Sequence, residues 1–95
     1  MNRTEHLLTC LAEEYAEVAQ ACSKALRFGL DDKGPGHTFT NAEYISRELN
    51  DVFALMAMLN DEGHIASLNF SEIEAKRIKV QQFMEYAEQR GTLKP

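Results

Sequence analysis

Four acidic side chains, arranged as two pairs with the same spacing, are the residues of this chain best suited to chemistry. Glu14 and Glu17 form the first pair, and Glu48 and Asp51 form the second. Side chains three residues apart in an α-helix lie next to each other on one face, so each pair can point at a common target. Four converging carboxylates suit a divalent cation. Mg²⁺, a hard ion that prefers oxygen ligands, fits them best, with Mn²⁺ as the alternative.

Both acidic pairs border apolar helical surface. The second pair precedes residues 52–59, a run without a polar side chain. Unpaired carboxylates against apolar surface are costly, and neighbouring like charges raise one another's pKa unless a cation offsets them. The stripe expected to pack beside the first pair consists of Leu8, Leu11, Tyr15, Val18 and Cys22.

Two other interpretations of the acids stay open. Acidic residues at helical spacing are ordinary on solvated helix faces, so a single pair would carry little weight, whereas two such pairs carry more. Glu13 lies four residues before Glu17 and could replace Glu14 geometrically. We prefer Glu14, because it lies closer to the apolar stripe.

The first acidic pair belongs to a long predicted helix over residues 4–28. Thr4 can cap its first turn and Gly29 can end it. Residues 29–40 contain three glycines and a proline, so they form a loop whose position suggests a lid or a wall for a substrate. His37 and Phe39 in this loop could stack on a nucleobase, although simple filling of the loop is the more ordinary role.

The second acidic pair belongs to a helix that opens at a capping box of Thr40 and Glu43 and runs to about residue 60. A possible short helix lies within residues 61–70. Ser71 and Glu74 form another capping box, which predicts a third helix to about residue 89, ended by Gly91. No strand-like alternation occurs, so we expect an all-α bundle of three main helices in a single domain over residues 1–95.

Composition limits the function classes. The chain has 95 residues and a net charge of −5, which disfavours nucleic acid and anionic membranes as partners. It shows neither a transmembrane span nor a signal peptide, so a cytoplasmic location is expected. Cys10 and Cys22 are about 18 Å apart along one helix at 1.5 Å per residue, too far for a disulfide, and are expected as buried free thiols. No zinc-binding spacing occurs.

The two acidic half-motifs, in order and within the segments LAEEYAEVAQACSKALRFG and RELNDVFALMAML, resemble the MazG-like nucleoside triphosphate pyrophosphohydrolases of the all-α NTP pyrophosphatase group. The resemblance extends from about Leu8 to Leu93. The loop between the half-motifs is longer than in compact members of the family. The resemblance implies Mg²⁺-dependent conversion of an NTP or dNTP into the monophosphate and pyrophosphate, with Glu14, Glu17, Glu48 and Asp51 as metal ligands.

Basic residues are candidates for binding the substrate phosphates. Lys24 lies seven residues beyond Glu17 and so returns to nearly the same helix face, and Arg27 follows one turn later. Lys76, Arg77 and Lys79 concentrate positive charge in an acidic chain, and the resemblance implies that Lys76 or Lys79 approaches the phosphates. Each of these residues could equally be a solvated surface charge.

The apolar run at 52–59 also predicts self-association. One other helix of a small chain cannot cover its whole circumference, so we expect a homodimer or homotetramer with the second helix, near Met56 or Met58, at the contact. A di-iron bundle is nearly excluded, because no Glu is followed by His three residues later. A non-catalytic module that oligomerises or binds a partner remains the alternative function.

Overall fold

Three α-helices form the computed structural model, which describes residues 1–94. Helix α1 spans Arg3–Phe28, α2 spans Asn41–Asp61 and α3 spans Phe70–Arg90. No strand occurs among the described residues. The predicted all-α class with three main helices is therefore confirmed. The possible short helix is absent, because residues 62–69 form turns and irregular chain.

Helix α1 begins earlier than predicted. Asn2, not Thr4, is the cap: its side-chain oxygen accepts a hydrogen bond from the Glu5 amide at 2.8 Å, and the Glu5 carboxylate returns to the Asn2 amide at 3.5 Å. Asparagine caps at least as well as threonine, and the reciprocal pair satisfies two free donors. The Thr4 hydroxyl instead lies 3.0 Å from Nε2 of His64, beyond the end of α2.

The other helix ends test the remaining capping predictions. The capping box of Thr40 and Glu43 at the start of α2 is confirmed. The predicted start of α3 at Ser71 is wrong, because Asn69 accepts from the Glu72 amide at 3.0 Å and starts the helix two residues earlier. Gly91 ends α3 in the left-handed conformation, with φ of 78°.

Helices α1 and α2 pack against each other in opposite directions. Arg3 at the start of α1 pairs with Glu62 after α2 at 2.9 Å, and Asn41 at the start of α2 bonds the Gly29 carbonyl after α1 at 2.8 Å. The apolar side chains buried among the described residues all lie on these two helices. They are Leu7, Ala21, Val52 and Leu59.

The predicted packing stripe of α1 is rotated from the observed one. Leu8 and Tyr15 remain 48% and 52% exposed, whereas Leu7 and Ala21 are buried. The reason is the partner helix: α2 contacts α1 along a line one residue away from the most apolar stripe. Cys10 is half-buried and Cys22 is exposed, so the thiols are free but the predicted burial of Cys22 is wrong.

Helix α3 packs against neither α1 nor α2. The radius of gyration is 16.8 Å, compared with about 12 Å for a compact domain of this length. Most apolar side chains of α3 consequently face solvent. No helix among the described residues has the length and apolar character needed to cross a membrane.

Candidate metal centre

The interface between α1 and α2 brings one acid of each pair into the packed surface. Glu14 lies midway between the buried residues Leu7 and Ala21, and a spacing of seven keeps all three on nearly the same face of α1. Glu48 lies one turn before the buried Val52 on the contact face of α2. Both glutamates are half-buried. Each therefore points a charged group along an otherwise apolar seam.

Three of the four predicted acids come together. Carboxylate oxygens of Glu14, Glu17 and Glu48 all lie within 4.8 Å of one another. One oxygen of Glu14 and one of Glu48, Oε2 in each case, are buried and have no hydrogen-bond partner among the described residues. Buried polar atoms are nearly always paired, and an unpaired one is costly. These two oxygens therefore call for a proton or a cation.

The same crowding disturbs the titration of the acids. The pKa of Glu48 is raised to about 7, first by a hydrogen-bonding approach of the Glu17 carboxyl, then by burial and by the neighbouring negative charges. Burial is the largest cause of a raised pKa at Glu14, followed by the charges of Glu17 and Asp51. The protonated forms are favoured because burial and the neighbouring negative charges both disfavour the ionised carboxylates.

Asp51 and Glu13 lie outside this three-glutamate group. Asp51 is exposed, yet its charge raises the pKa of both Glu14 and Glu48, so it lies at the margin of the group. Glu13 is exposed as well and contributes no oxygen to it. The choice of Glu14 over Glu13 thus agrees with the packing. Asp51, the fourth predicted ligand, contributes no oxygen to the three-glutamate group.

A pocket of about 470 Å³ opens beside the acids and shares Glu17 and Glu48 with them. It runs between the two helices towards the loop of residues 29–40. Its walls are Glu17, Gln20, Ala21, Lys24 and Phe28 from α1, Asp32, Gly34, Pro35 and His37 from the loop, and Asn41, Tyr44 and Glu48 from α2. The loop is therefore a wall of this pocket.

Backbone and side-chain contacts hold the loop in this position. Its two ends are joined by hydrogen bonds from the amides of Asn41 and Ala42 to carbonyls in residues 30–32. The His37 ring rests on Gly34 so closely that a Cβ there would lie 2.7 Å from the ring, so any larger residue at this position would have to displace the His37 side chain. Nδ1 of His37 also lies 3.3 Å from the Tyr44 hydroxyl.

The two aromatic loop residues have different surroundings. His37 lines the pocket, so contact with a bound base remains open to it. Phe39 packs edge-on against Tyr44, with ring centroids 5.6 Å apart, and the Arg47 guanidinium lies 4.3 Å from its ring centre. Phe39 is not among the lining residues. Phe39 therefore packs the end of the loop against α2.

Of the predicted phosphate-binding residues, Lys24 lines the pocket. Arg27 is exposed, with its guanidinium 4.9 Å from the ring centre of Phe28. Lys76 and Lys79 are exposed on α3, outside the pocket walls, with the Lys79 ammonium 5.9 Å from the Phe83 ring centre. One chain alone therefore does not bring the basic residues of α3 to the acids.

Sequence reasoning missed several residues of the pocket, among them Gln20, Asn41 and Tyr44. Tyr44 precedes Glu48 by four residues, so helical spacing could have placed it on the same face. Asn41 precedes Glu48 by seven residues and shares that face too, but a polar residue in the first turn of a helix is usually exposed. Comparison with protein-family models, with curated proteins and with solved structures finds no match for this chain.

Proposed function

We propose that this chain is a Mg²⁺-dependent nucleoside triphosphate pyrophosphohydrolase, which converts an NTP or dNTP into the monophosphate and pyrophosphate. The observation that carries the proposal is the pair of buried, unpartnered oxygens of Glu14 and Glu48, at the border of a pocket that also holds a lysine. The type of reaction comes from the resemblance of the acidic half-motifs to the MazG-like enzymes.

The donor set fits the ion that the resemblance implies. Three carboxylates within 4.8 Å of one another provide only oxygen ligands, as Mg²⁺ and Mn²⁺ prefer. Glu14, Glu17 and Glu48 would hold the ion, and Asp51 would complete the set from the margin. A bound Mg²⁺ would supply Lewis-acid polarisation of the phosphate and a more acidic water.

The protein's own residues then have distinct tasks. Glu17 belongs to both the acidic group and the pocket wall, so its carboxylate is suited to accept a proton from the attacking water. Lys24 would pair with phosphate oxygens within the same pocket. Phe28 and Tyr44 offer apolar surface to the nucleoside, and the pocket volume lies within the range of about 300–1,000 Å³ usual for small-molecule sites.

A panel of NTPs and dNTPs, assayed for pyrophosphate release with and without Mg²⁺, tests this function. We expect metal-dependent release from at least one triphosphate and none in the presence of excess chelator. Titration calorimetry with a non-hydrolysable triphosphate provides the binding arm. A protein that binds neither nucleotide nor Mg²⁺ and releases no pyrophosphate would instead be the non-catalytic module.

The proposed enzyme works as a homodimer or homotetramer. Helix α3 exposes the apolar side chains of Ile73, Val80 and Met84, and α2 exposes Phe53 and Met58 at 50% and 39%. Several large apolar side chains exposed on two helices are typical of an interface. Packing of α3 from one copy on the α1–α2 pair of another would also give Lys76 and Lys79 a route to the phosphates.

Sedimentation equilibrium at micromolar concentration measures this assembly. We expect a mass of at least two chains, and dissociation or destabilisation by Met58→Lys. A single species at monomer mass, with Met58→Lys behaving as the parent does, would contradict the assembly while leaving the acidic site to be judged by its own assay.

A further inference from the structure

Asn41 is the buried polar residue of the described chain, with 7% of its surface exposed. Its side-chain nitrogen donates a hydrogen bond to the Gly29 carbonyl at 2.8 Å, across the base of the loop. Only the nitrogen of an amide can donate to a carbonyl, so this bond fixes which end of the amide points at the loop. The oxygen must point the other way.

The side-chain oxygen of Asn41 is left without a donor. No described residue donates a hydrogen bond to it. The oxygen is nevertheless accessible, because the fully buried side-chain atoms without a partner among the described residues belong to Glu14 and Glu48. Asn41 is one of the pocket walls. The oxygen is therefore an unpaired and accessible acceptor, held in place by the bond of its own amide to Gly29, on a residue that lines the pocket.

The position of this acceptor, away from the acids, would place it beside the nucleoside of a bound nucleotide and not beside the phosphates. Asn41 precedes Glu48 by seven residues, which is about 10 Å along the axis of α2. With phosphates near the acids, the nucleoside extends towards Asn41, Phe28 and the loop.

We propose that Asn41 is a specificity-determining residue that accepts a hydrogen bond from the exocyclic amino group of a nucleobase, so that cytosine or adenine is preferred over the matching keto base. This inference rests on the proposed function for the assignment of the pocket to a nucleotide. A keto oxygen at the same place would face the Asn41 oxygen, and both acceptors would be left unpaired. A sugar hydroxyl, which both donates and accepts, would create no such preference.

Matched pairs that differ in this exocyclic group, and in whether the ring nitrogen beside it carries a hydrogen, test the selection. CTP with UTP, and ATP with inosine triphosphate, are compared by kcat/KM with Mg²⁺, and CMP with UMP by calorimetry. In at least one pair we expect the amino member to be favoured by about tenfold or more, the scale of one lost hydrogen bond with an unpaired group. If the favoured pair is CTP with UTP, CMP should bind more tightly than UMP even without hydrolysis.

Two substitutions distinguish the role of the Asn41 side-chain oxygen from that of its nitrogen. Asn41→Ala removes the acceptor, so the amino-to-keto ratio should fall to within about twofold of one. Asn41→Asp keeps an acceptor towards the pocket but loses the donor to Gly29, so stability should fall while the ratio remains. A residue that only holds the loop would weaken both members of a pair equally and leave the ratio unchanged.

Asn60 provides the matched control. At the other end of α2 its side-chain nitrogen donates to the Ile65 carbonyl at 3.0 Å, a similar contact between helix and loop, but it lies outside the pocket. Asn60→Ala should lower the melting temperature without changing the ratio.

Each outcome decides something. Equal kcat/KM within both triphosphate pairs overturns the selection by Asn41 even if pyrophosphate is released, and so does a ratio that survives Asn41→Ala. Tighter binding of CMP without hydrolysis of any triphosphate supports the selection and rejects the pyrophosphohydrolase. Binding of neither monophosphate, with no hydrolysis, overturns both. The comparisons on the parent protein decide the question if Asn41→Ala does not fold.

Discussion

The two halves of the α1–α2 interface serve opposite purposes. In one half, Leu7 and Leu59 are buried apolar side chains, and the Arg3–Glu62 pair closes the end. In the other half, Glu48 and Asn41 occupy the same kind of helix face with polar groups, and one carboxylate oxygen lacks a partner. The first half stabilises the fold. In the second half, the proposed site would give up stability for binding, which is the usual relation between packing and function.

Leu59→Ala is the change that weakens the apolar half most. Leu59 is completely buried, and truncating a buried leucine costs about 2–5 kcal/mol through lost transfer energy and a residual cavity. That is a large part of the roughly 5–15 kcal/mol that stabilises a domain. Urea unfolding measures the loss. Leu26→Ala is the control, since Leu26 is 88% exposed, and a similar effect from both would contradict the assigned core.

Glu17→Gln and Asp51→Asn break the polar half without touching the core. Each should lower kcat/KM for pyrophosphate release by about a hundredfold or more, on the scale of losing one charge-stabilising group in an active site. Circular dichroism should show unchanged helicity, because both residues are exposed. Glu13→Gln should keep activity near that of the parent. Near-parental release by Glu17→Gln and Asp51→Asn would remove the acidic group from the proposed mechanism.

The raised pKa of Glu48 predicts that the polar half of the interface makes the stability of the protein depend on pH. A glutamate with a pKa of about 7 when folded and an ordinary value when unfolded holds its proton more strongly in the folded state, so stability should fall as pH rises from about 4.5 to about 7. Mg²⁺ bound to the ionised group should reverse the loss, and should raise the melting temperature more at pH 8 than at pH 5.5.

Glu48→Gln is the control for this behaviour, because it removes the titrating group while keeping its size. The variant should show a flatter dependence of melting temperature on pH and a smaller response to Mg²⁺. A parent protein whose melting curve ignores millimolar Mg²⁺ and Mn²⁺ at pH 8 would argue against a preformed metal site.

Glu62→Gln should have the smallest effect, at the end of the apolar half. The Arg3 side chain of this pair is 67% exposed and the Glu62 side chain 30%, and a pair that water and salt can reach contributes little. We expect a small drop in melting temperature that disappears at high salt. A large drop that persists at high salt would show that this contact closes the helix pair more firmly than its exposure indicates.

Local sequence signals predicted most of the helical architecture. The capping box at Thr40, the glycines after α1 and α3, and the long helical periodicities set the element type and most boundaries, because caps and helix stops depend on contacts within one turn. Competing signals caused the misplaced starts: Asn2 and Asn69 cap their helices, although Thr4 and Ser71 were the predicted caps.

The types and spacing of the acids likewise follow from the sequence alone. Two pairs three residues apart must each share a helix face, whatever the rest of the fold does. That is why Glu14, Glu17 and Glu48 could be named as a group before their positions were known. The spacing could not show that Asp51 would stand at the margin.

Only the tertiary structure decided how the helices are turned. The rotation of α1 that buries Leu7 and Ala21 and not Leu8 and Tyr15 depends on the side chains of α2, a partner distant in sequence. The same long-range contact buries the oxygens of Glu14 and Glu48 and fixes the amide of Asn41 between the loop and the pocket. Helical periodicity states which residues share a face, but packing between distant segments selects the face that becomes the interior.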